Sequence, residues 1–386
     1  MKGIAGVGIS TGNDGQATAM QAAQIALDKM RAAHPVCAIV FFSSEFAVGD
    51  VLNGLSGLLG ETPLWGFSTS HPLSGTGEHS RTIIVALLAG DGLRAQARWW
   101  QDIHLPGSSA FNQLKEVLKQ TIYSHFTFVV ADEMIDLESL RKVLEEPGIN
   151  LGGGLSCSDI FMASSRQIGR SQGGESGMPA LLLGGRFRVG VGTACGWEDI
   201  GLYWKITSTD GRKLISLDGL PALEIYSNHL GSKFEDWIVP PLSELARLYP
   251  LGIETAPGSV SYRVCSPIRM CKDGSLLMSA IPVDGAIAHL LIGDRKACQE
   301  TAASAATQAL VSLGKARPLL AVILVDTGWR LLFGTQPGSW MEPVREVLGD
   351  IPIVGAYTSG QIGPQGGKEG LDLLNQHLVV YLVGEA

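Results

Sequence analysis

Residues 4–42 read IAGVGISTGNDGQATAMQAAQIALDKMRAAHPVCAIVFF, and residues 287–325 read IAHLLIGDRKACQETAASAATQALVSLGKARPLLAVILV. The two stretches align without a gap at an offset of 283. In the first stretch, Ala19, Ala22 and Ala26 lie on one face of a helix, because they follow the i, i+3, i+7 spacing. Each stretch therefore predicts a strand, a helix whose small residues allow close approach to a sheet, and a second strand led by proline.

A shorter repeat lies inside the N-terminal half. At an offset of 88, CAIVFFSSEF aligns with FTFVVADEM, Gly60 with Gly148 and Gly66 with Gly154. The C-terminal half has the same unit as LAVILVDTGWRLLFG followed by WMEPVREVLGDIPIVGAYTSG. Each copy reads as strand, helix, strand and glycine-led turn, followed by a further strand that we expect to pair antiparallel. The sequence predicts an α/β fold of two related halves, with mixed sheets flanked by helices and built from repeated strand-helix-strand units.

The domain division follows from these repeats. We expect an N-terminal domain over residues 1–205, which holds the internal repeat of 38–100 and 126–197, and a C-terminal domain over 206–386. A β-hairpin around STDG and a helix that begins near Pro221 follow the boundary. The segment after this proline has no counterpart in the N-terminal half.

Charge and cysteine content limit the classes of partner and compartment. The 386 residues carry a net charge of -8 without a basic run, which argues against nucleic acid and anionic membranes as partners. None of the six cysteines forms a CxxC pair, which favours a reducing compartment. The first residues lack the apolar core of a signal peptide, and the apolar runs are too short to span a bilayer. We expect a cytoplasmic protein without a metal site, and leave its oligomeric state open, homo-oligomers included.

The order of several motifs resembles the FIST family of sensory domains. In the C-terminal half the matching pieces are ALEIY, LYPLGIE, DGSLLMSAIPVDG, GWRLLFG, a lone Glu342 that opens a helix, PIVGAYTSGQIGP and LLNQHLVV. In the N-terminal half they are CAIVFFSSEF, a leucine-rich helix and PLWGFSTS. Together these segments cover nearly the whole chain and correspond to the FIST N and FIST C parts of the family.

This resemblance implies a sensory role in signal transduction, with a small ligand such as an amino acid or a related carboxylate metabolite. It also implies a separate signalling partner, such as a histidine kinase or a cyclic-dinucleotide enzyme. Some family members are haem-binding nitric-oxide sensors, which gives an alternative with haem as the cofactor. The chain departs from the family where Gln361 replaces the usual glutamate of a Gly-Glu-Ile turn, and where Thr327 stands near the place of a common cysteine.

The three glycine-led turns provide the candidate ligand-binding residues. Their side chains are small and polar, and the glycines before them allow backbone N–H groups to approach an anion. Hydroxyls that cap local backbone groups would account for the same pattern. The turn residues are Ser68, Thr69, Ser70, Ser156, Ser158, Thr358, Ser359, Gly360 and Gln361.

Three further side chains complete the predicted site. Arg330 follows a buried strand and could bind a carboxylate through two parallel hydrogen bonds, although an ion pair with Asp326 or Glu342 is an alternative. Glu342 itself is a ligand-binding candidate, and His71 is a candidate axial haem ligand. We expect binding rather than catalysis; the enzyme alternative is a hydrolase or lyase that uses loop carboxylates.

Overall fold

The computed structural model describes residues 2–119, 125–157, 165–169, 172–231, 233–239, 245–256, 258, 262–365 and 370–386. The first part of the chain contains β1 (Ile4–Thr11), α1 (Gly15–Lys29), β2 (Cys37–Ser43), α2 (Val48–Leu59), β3 (Leu64–Thr69), β4 (Leu73–Ser74), β5 (Gly77–Glu78) and β6 (Thr82–Ala89). It continues with β7 (Leu93–Trp100), α3 (Ser109–Leu118), β8 (Phe126–Asp132), α4 (Leu137–Leu144), β9 (Leu151–Ser156), β10 (Gln167–Gly169), β11 (Gln172–Gly174) and β12 (Met178–Gly185).

The remaining elements form two groups. One group contains β13 (Phe187–Cys195), β14 (Trp197–Asp210), β15 (Lys213–Leu217), β16 (Leu220–Pro221), α5 (Ala222–Leu230), α6 (Phe234–Trp237), a short 3-10 helix (Ala246–Leu248), β17 (Leu251–Glu254), β18 (Tyr262–Cys265), β19 (Pro267–Met270), β20 (Leu276–Met278) and β21 (Ile287–Gly293). The other contains α7 (Arg295–Leu313), β22 (Arg317–Asp326), α8 (Thr327–Phe333), α9 (Met341–Leu348), β23 (Ile353–Pro364), β24 (Leu371–Leu374) and β25 (His377–Glu385).

The same four-stranded unit occurs three times. Its strand order is β1-β6-β2-β3 in the first unit, β7-β12-β8-β9 in the second and β13-β25-β22-β23 in the third. In each unit the last two strands are parallel and the other pairs are antiparallel. The predicted fold class of mixed sheets built from repeated strand-helix-strand units is confirmed. Strands β14–β21 interrupt the third unit, and we call residues 197–293 the insert.

The third unit begins earlier in the chain than the sequence alignment predicted. That alignment placed residues 287–293 over β1, but β21 lies in the sheet of the insert, and β13 occupies the position of β1. An added Cβ at Gly8 would lie 1.9 Å from the Ala22 carbonyl oxygen, and one at Gly192 would lie 1.9 Å from the Ala305 oxygen. The helices are therefore equivalent at the offset of 283, whereas the predicted equivalence of their preceding strands is wrong.

The offset of 88 between the first two units is also wrong by one residue on each strand. The parallel pairs place Val40 beside Gly66 and Val129 beside Gly153, which gives offsets of 89 and 87. The glycine that matches Gly66 is consequently Gly153 rather than Gly154. A single gapless offset averaged the two because the helix and loops between the strands differ in length.

The units pack as two face-to-face sheets with helices outside. Aromatic and aliphatic side chains of β2, β3 and β6 form one core cluster with those of β8, β12, β22, β23 and β25. Helices α1 and α2 cover the outer face of the first sheet, while α3, α4, α7 and α9 cover the second. The insert has a separate core. None of the described helices combines the length and apolar character needed to cross a membrane.

Candidate functional site

The three glycine-led turns meet in space, which the sequence alone could not show. In each unit, the parallel pairing of the last two strands ends at one of these residues, which are Thr69, Ser156 and Thr358. Ser156 lies opposite Thr358 in the β9–β23 pair. The Thr69 hydroxyl donates to the Tyr357 carbonyl oxygen at 3.1 Å and accepts from its N–H at 3.1 Å. We call this meeting point of the three units the junction.

The hydroxyls of the junction are buried and bonded within the protein. Ser68 accepts a hydrogen bond from the Arg166 N–H at 2.8 Å, and Ser359 lies 3.3 Å from the carbonyl oxygen of Leu155. Ser156 donates to the Ala131 carbonyl oxygen at 3.0 Å. The contacts of Thr69 and Ser359 join different units, whereas capping of local backbone groups would pair residues close in sequence. Ser70 and Gly360 are buried beside them, and Ser158 lies outside the described residues.

Gln361 connects the junction to a buried carboxylate. Its side-chain amide lies 2.9 Å from the Thr358 hydroxyl and 3.3 Å from Asp326 Oδ2. The Asp326 carboxylate accepts from the N–H groups of Gly328, at the start of α8, and of Gln376. Burial raises the pKa of Asp326, because removing a carboxylate from water disfavours its charged form.

Arg330 lies at a polar cluster between the first and third units. Its Nε donates to Glu78 Oε2 at 3.2 Å, and its Nη2 lies 3.2 Å from His71 Nε2. Glu78 Oε1 accepts from the Tyr357 hydroxyl. The Arg330 side chain is 31% exposed, whereas that of Glu78 is only 8% exposed. We call these four residues the Arg330 cluster; its arginine side chain is partly exposed to solvent, and its carboxylate is nearly covered.

The ion-pair partner of Arg330 is therefore Glu78, rather than either acid that the sequence suggested. Glu342 lies exposed in the first turn of α9, and no hydrogen bond or ion pair in the described part of the chain joins it to Arg330. Sequence reasoning missed Glu78 and Tyr357. Glu78 lies in a polar stretch of the sequence, and the strand position of Tyr357 is typical of a core aromatic residue.

The surroundings of His71 do not fit a haem. Iron ligation would need a lone pair on Nε2 directed at an apolar slot for the macrocycle. In the structure that nitrogen faces the guanidinium of Arg330, which is paired with Glu78. A haem would have to displace this ion pair. Within the described ranges, no group of three or more His, Cys, Asp or Glu residues could hold a metal ion.

Two arginines of the insert reach the ends of the parallel strands from the other side. Arg212 Nη1 donates to the Glu133 carbonyl oxygen at 2.9 Å, and its Nε donates to Met278 at 3.0 Å. Arg247 Nη2 lies 3.5 Å from Glu133 Oε2, and its Nη1 lies 3.5 Å from Thr327 Oγ1. Burial lowers the pKa of Arg212. Both arginines therefore contact Glu133, Arg212 at its backbone carbonyl and Arg247 at its carboxylate. These contacts connect the insert to the second unit.

Two family models match consecutive parts of the chain. The model of the FIST N domain matches residues 37–220, and that of the FIST C domain matches residues 222–364. Among curated proteins, no sequence matches this chain.

Similar solved structures include a cyanuric acid hydrolase from A. caulinodans, with 12% identity, a TM-score of 0.28, and coverage of 47% of this chain and 72% of that one. PurLQS from Thermotoga maritima has 9% identity and a TM-score of 0.26, covering 100% of this chain and 73% of that one. With TM-scores this low, these likenesses support no conclusion about fold or activity.

Proposed function

Since the chain belongs to the FIST family, whose domains are sensory, ligand-binding domains of signal transduction, we propose that its ligand is a small carboxylate metabolite of the amino-acid class. The ligand binds at the Arg330 cluster. A separate signalling protein, such as a histidine kinase or a cyclic-dinucleotide enzyme, receives the signal.

The contact of Arg330 with Glu78 is the observation that carries this proposal. A guanidinium and a tyrosine hydroxyl already hold one carboxylate there, so the donors that recognise this group are in position. Arg330 Nη1 has no hydrogen bond within the described residues, and the side chain is partly exposed. A ligand carboxylate can therefore reach the guanidinium from solvent.

An amino acid suits this pair better than a simple carboxylate. Its carboxylate would bind Arg330 and its ammonium would bind Glu78. One internal ion pair would then become two, and the buried Glu78 carboxylate would stay paired. Glu78 ends β5, whose partner β4 pairs with β23 beside the junction. Ligand insertion would therefore move a short hairpin that contacts both the first and third units.

Calorimetric titration with the twenty standard amino acids tests the proposal. We expect Arg330→Ala to weaken binding of the amino acid that binds wild type by about 10-fold or more, because hydrogen bonds to charged groups contribute about 1.5–3 kcal/mol each. The matched control is Arg345→Ala, which removes an exposed arginine from α9. An unchanged affinity in Arg330→Ala would remove Arg330 from the site.

A second variant tests the role of the amino group. Glu78→Gln keeps the size of the side chain but removes the charge that pairs with ammonium. We expect this variant to weaken binding of the amino acid more than binding of its deaminated analogue. Tighter binding of both compounds would instead assign the site to a simple carboxylate that competes with Glu78.

A further inference from the structure

A cavity of about 390 Å³ lies between the second unit and the insert, where Asp372 and Leu373 of β24 also line it. One wall is a face of α4, and the other is the segment that joins β20 to β21. Its volume lies in the range of about 300–1,000 Å³ that is typical of small-molecule sites. None of its lining residues belongs to the Arg330 cluster.

Both walls of the cavity are apolar. Leu137, Leu140 and Leu144 recur at i, i+3 and i+7 along α4, so they face the cavity from one side. Ile281 and Val283 face it from the insert. Val283 is 53% exposed, although Ala280 and Pro282 of the same wall are buried. A ligand with an aliphatic or aromatic body would cover this exposed apolar surface.

The polar lining of the cavity is dominated by an internal ion pair. Arg263 Nε and Nη2 lie 3.1 and 3.0 Å from the same oxygen, Asp372 Oδ2. Asp372 Oδ1 accepts from the Leu373 N–H at 2.9 Å. The two charges neutralise each other, so a charged ligand group beside them would have no counterion of its own. Arg263 Nη1 and the Asp372 oxygens can still donate to and accept from a neutral polar group.

The remaining charged residues at the cavity strengthen the bias against an anion. Glu138 and Asp284 line it together with only one more arginine, Arg141. Arg141 lies 3.7 Å from Glu145 and is half exposed, so its charge is directed at its own helix. Glu138 is likewise paired within its helix, with Lys142 at 3.1 Å. Among the described lining residues, Asp284 is left without an ion pair, and its charge would repel a ligand carboxylate.

We propose that this cavity is a second binding site, for an uncharged amphipathic small molecule with an apolar body and an amide- or ester-type head. The body lies between α4 and the segment that precedes β21, and the head meets the Arg263–Asp372 pair. This site is distinct from the carboxylate site at Arg330, because it favours an uncharged ligand over a carboxylate. Its occupant would contact the insert and the second unit at once, and would hold the insert in place.

Three compounds with the same eight-carbon chain test this chemistry by calorimetry: octanamide, octylammonium and octanoate. We expect octanamide to bind most tightly and octanoate most weakly. Val283→Glu should weaken octanamide binding by about 10-fold or more, since it places a carboxylate in an apolar wall. The position is exposed enough for the variant to fold, and equal thermal unfolding temperatures would verify this.

The matched control is Val311→Glu, at an apolar residue of α7 that is 76% exposed and does not line the cavity. This variant should bind octanamide as wild type does. Arg330→Ala should also bind octanamide as wild type does, so the test does not depend on the carboxylate site. Absence of saturable octanamide binding, equal affinity in Val283→Glu, or a preference for octanoate would each overturn the proposal.

Discussion

The first and third units have the same strand order, yet one is continuous and the other is interrupted. In the first unit, α1 follows β1 after a short turn and packs against it. In the third, the whole insert separates β13 from α7, and these two elements still pack together. The comparison teaches that the helix–strand contact depends on the residues that meet, and not on their distance along the chain.

The residues that meet are the same in both units. Gly6 and Gly8 face the carbonyl groups of α1, and Gly190 and Gly192 face those of α7. In each case small alanines on the helix complete the close approach. Any side chain on these glycines would collide with helix backbone, which cannot move aside as a flexible side chain would.

The largest expected effect tests whether the two contacts are equivalent. We expect Gly8→Val and Gly192→Val each to lower the free energy of unfolding by about 3 kcal/mol or more, because both force the helix away from the strand. Similar losses would show that the interruption leaves the third unit as dependent on this contact as the first. Urea denaturation followed by circular dichroism measures both.

Gly57→Ala provides the control for these variants. Gly57 lies on the exposed face of α2, and an added Cβ would meet no atom within 4 Å. We expect this change to stabilise the protein by about 0.5–1 kcal/mol, since alanine restricts the unfolded chain more than glycine. If only Gly8→Val were destabilising, the third unit would not share the packing of the first.

The same comparison explains how far the fold could be predicted from the sequence. The alanine spacing predicted both helices correctly, because it reflects a face that must approach a sheet. It could not predict that residues 287–293 belong to another sheet, since β21 and β1 have similar local patterns. The true counterpart of Gly8, Gly192, lies before the insert, where a gapless alignment cannot reach it.

The types of residue at the candidate site could be predicted from the sequence, but the contacts between them could not. The three polar turns were identified from their composition, and the structure brings Thr69, Ser156 and Thr358 together. The partner of Arg330 was not predictable, because Glu78 lies far from it in sequence and follows no motif. Whether these residues bind a ligand stays a prediction. The insert arginines were missed for the same reason, since a lone arginine in a hairpin turn or a short 3-10 helix has no distinctive pattern.

A second prediction concerns the insert, which the first unit lacks. Arg212 is bonded to both the insert and the second unit, through Met278 and Glu133. Arg212→Ala should cost about 2 kcal/mol, because it removes charge-assisted hydrogen bonds and leaves a buried carbonyl unsatisfied. We expect the loss to appear as faster amide hydrogen exchange in β14–β21, with the exchange of α1 and β1 unchanged.

Lys205→Ala is the control for this effect. Lys205 is an exposed residue of β14, and its substitution should leave exchange in the insert as in wild type. If Arg212→Ala accelerated amide hydrogen exchange in the first unit as much as in the insert, the insert would not open separately from the repeated units.

The smallest expected effect concerns a position at which the units differ in charge. Ser43 ends β2, and its equivalent in the third unit is Asp326, which ends β22. Because burial raises the pKa of Asp326, the native state binds a proton there more readily than the unfolded state does. The resulting stabilisation is complete below the ordinary carboxyl pKa and is lost as pH rises through the raised pKa.

Asp326→Asn removes this titration and keeps an oxygen that can accept from Gly328. We expect the stability of wild type relative to the variant to fall as pH rises from about 4 to about 8, as measured by urea denaturation at each pH. The change in unfolding free energy should be smaller than that of Arg212→Ala, because hydrogen bonds to the carboxylate partly offset its burial.

A Ser43→Ala variant should show no such pH dependence, since a hydroxyl does not titrate in this range. A constant difference between wild type and Asp326→Asn would show that Asp326 stays ionised in the folded protein, so that the first and third units would differ here in charge alone and not in their response to pH.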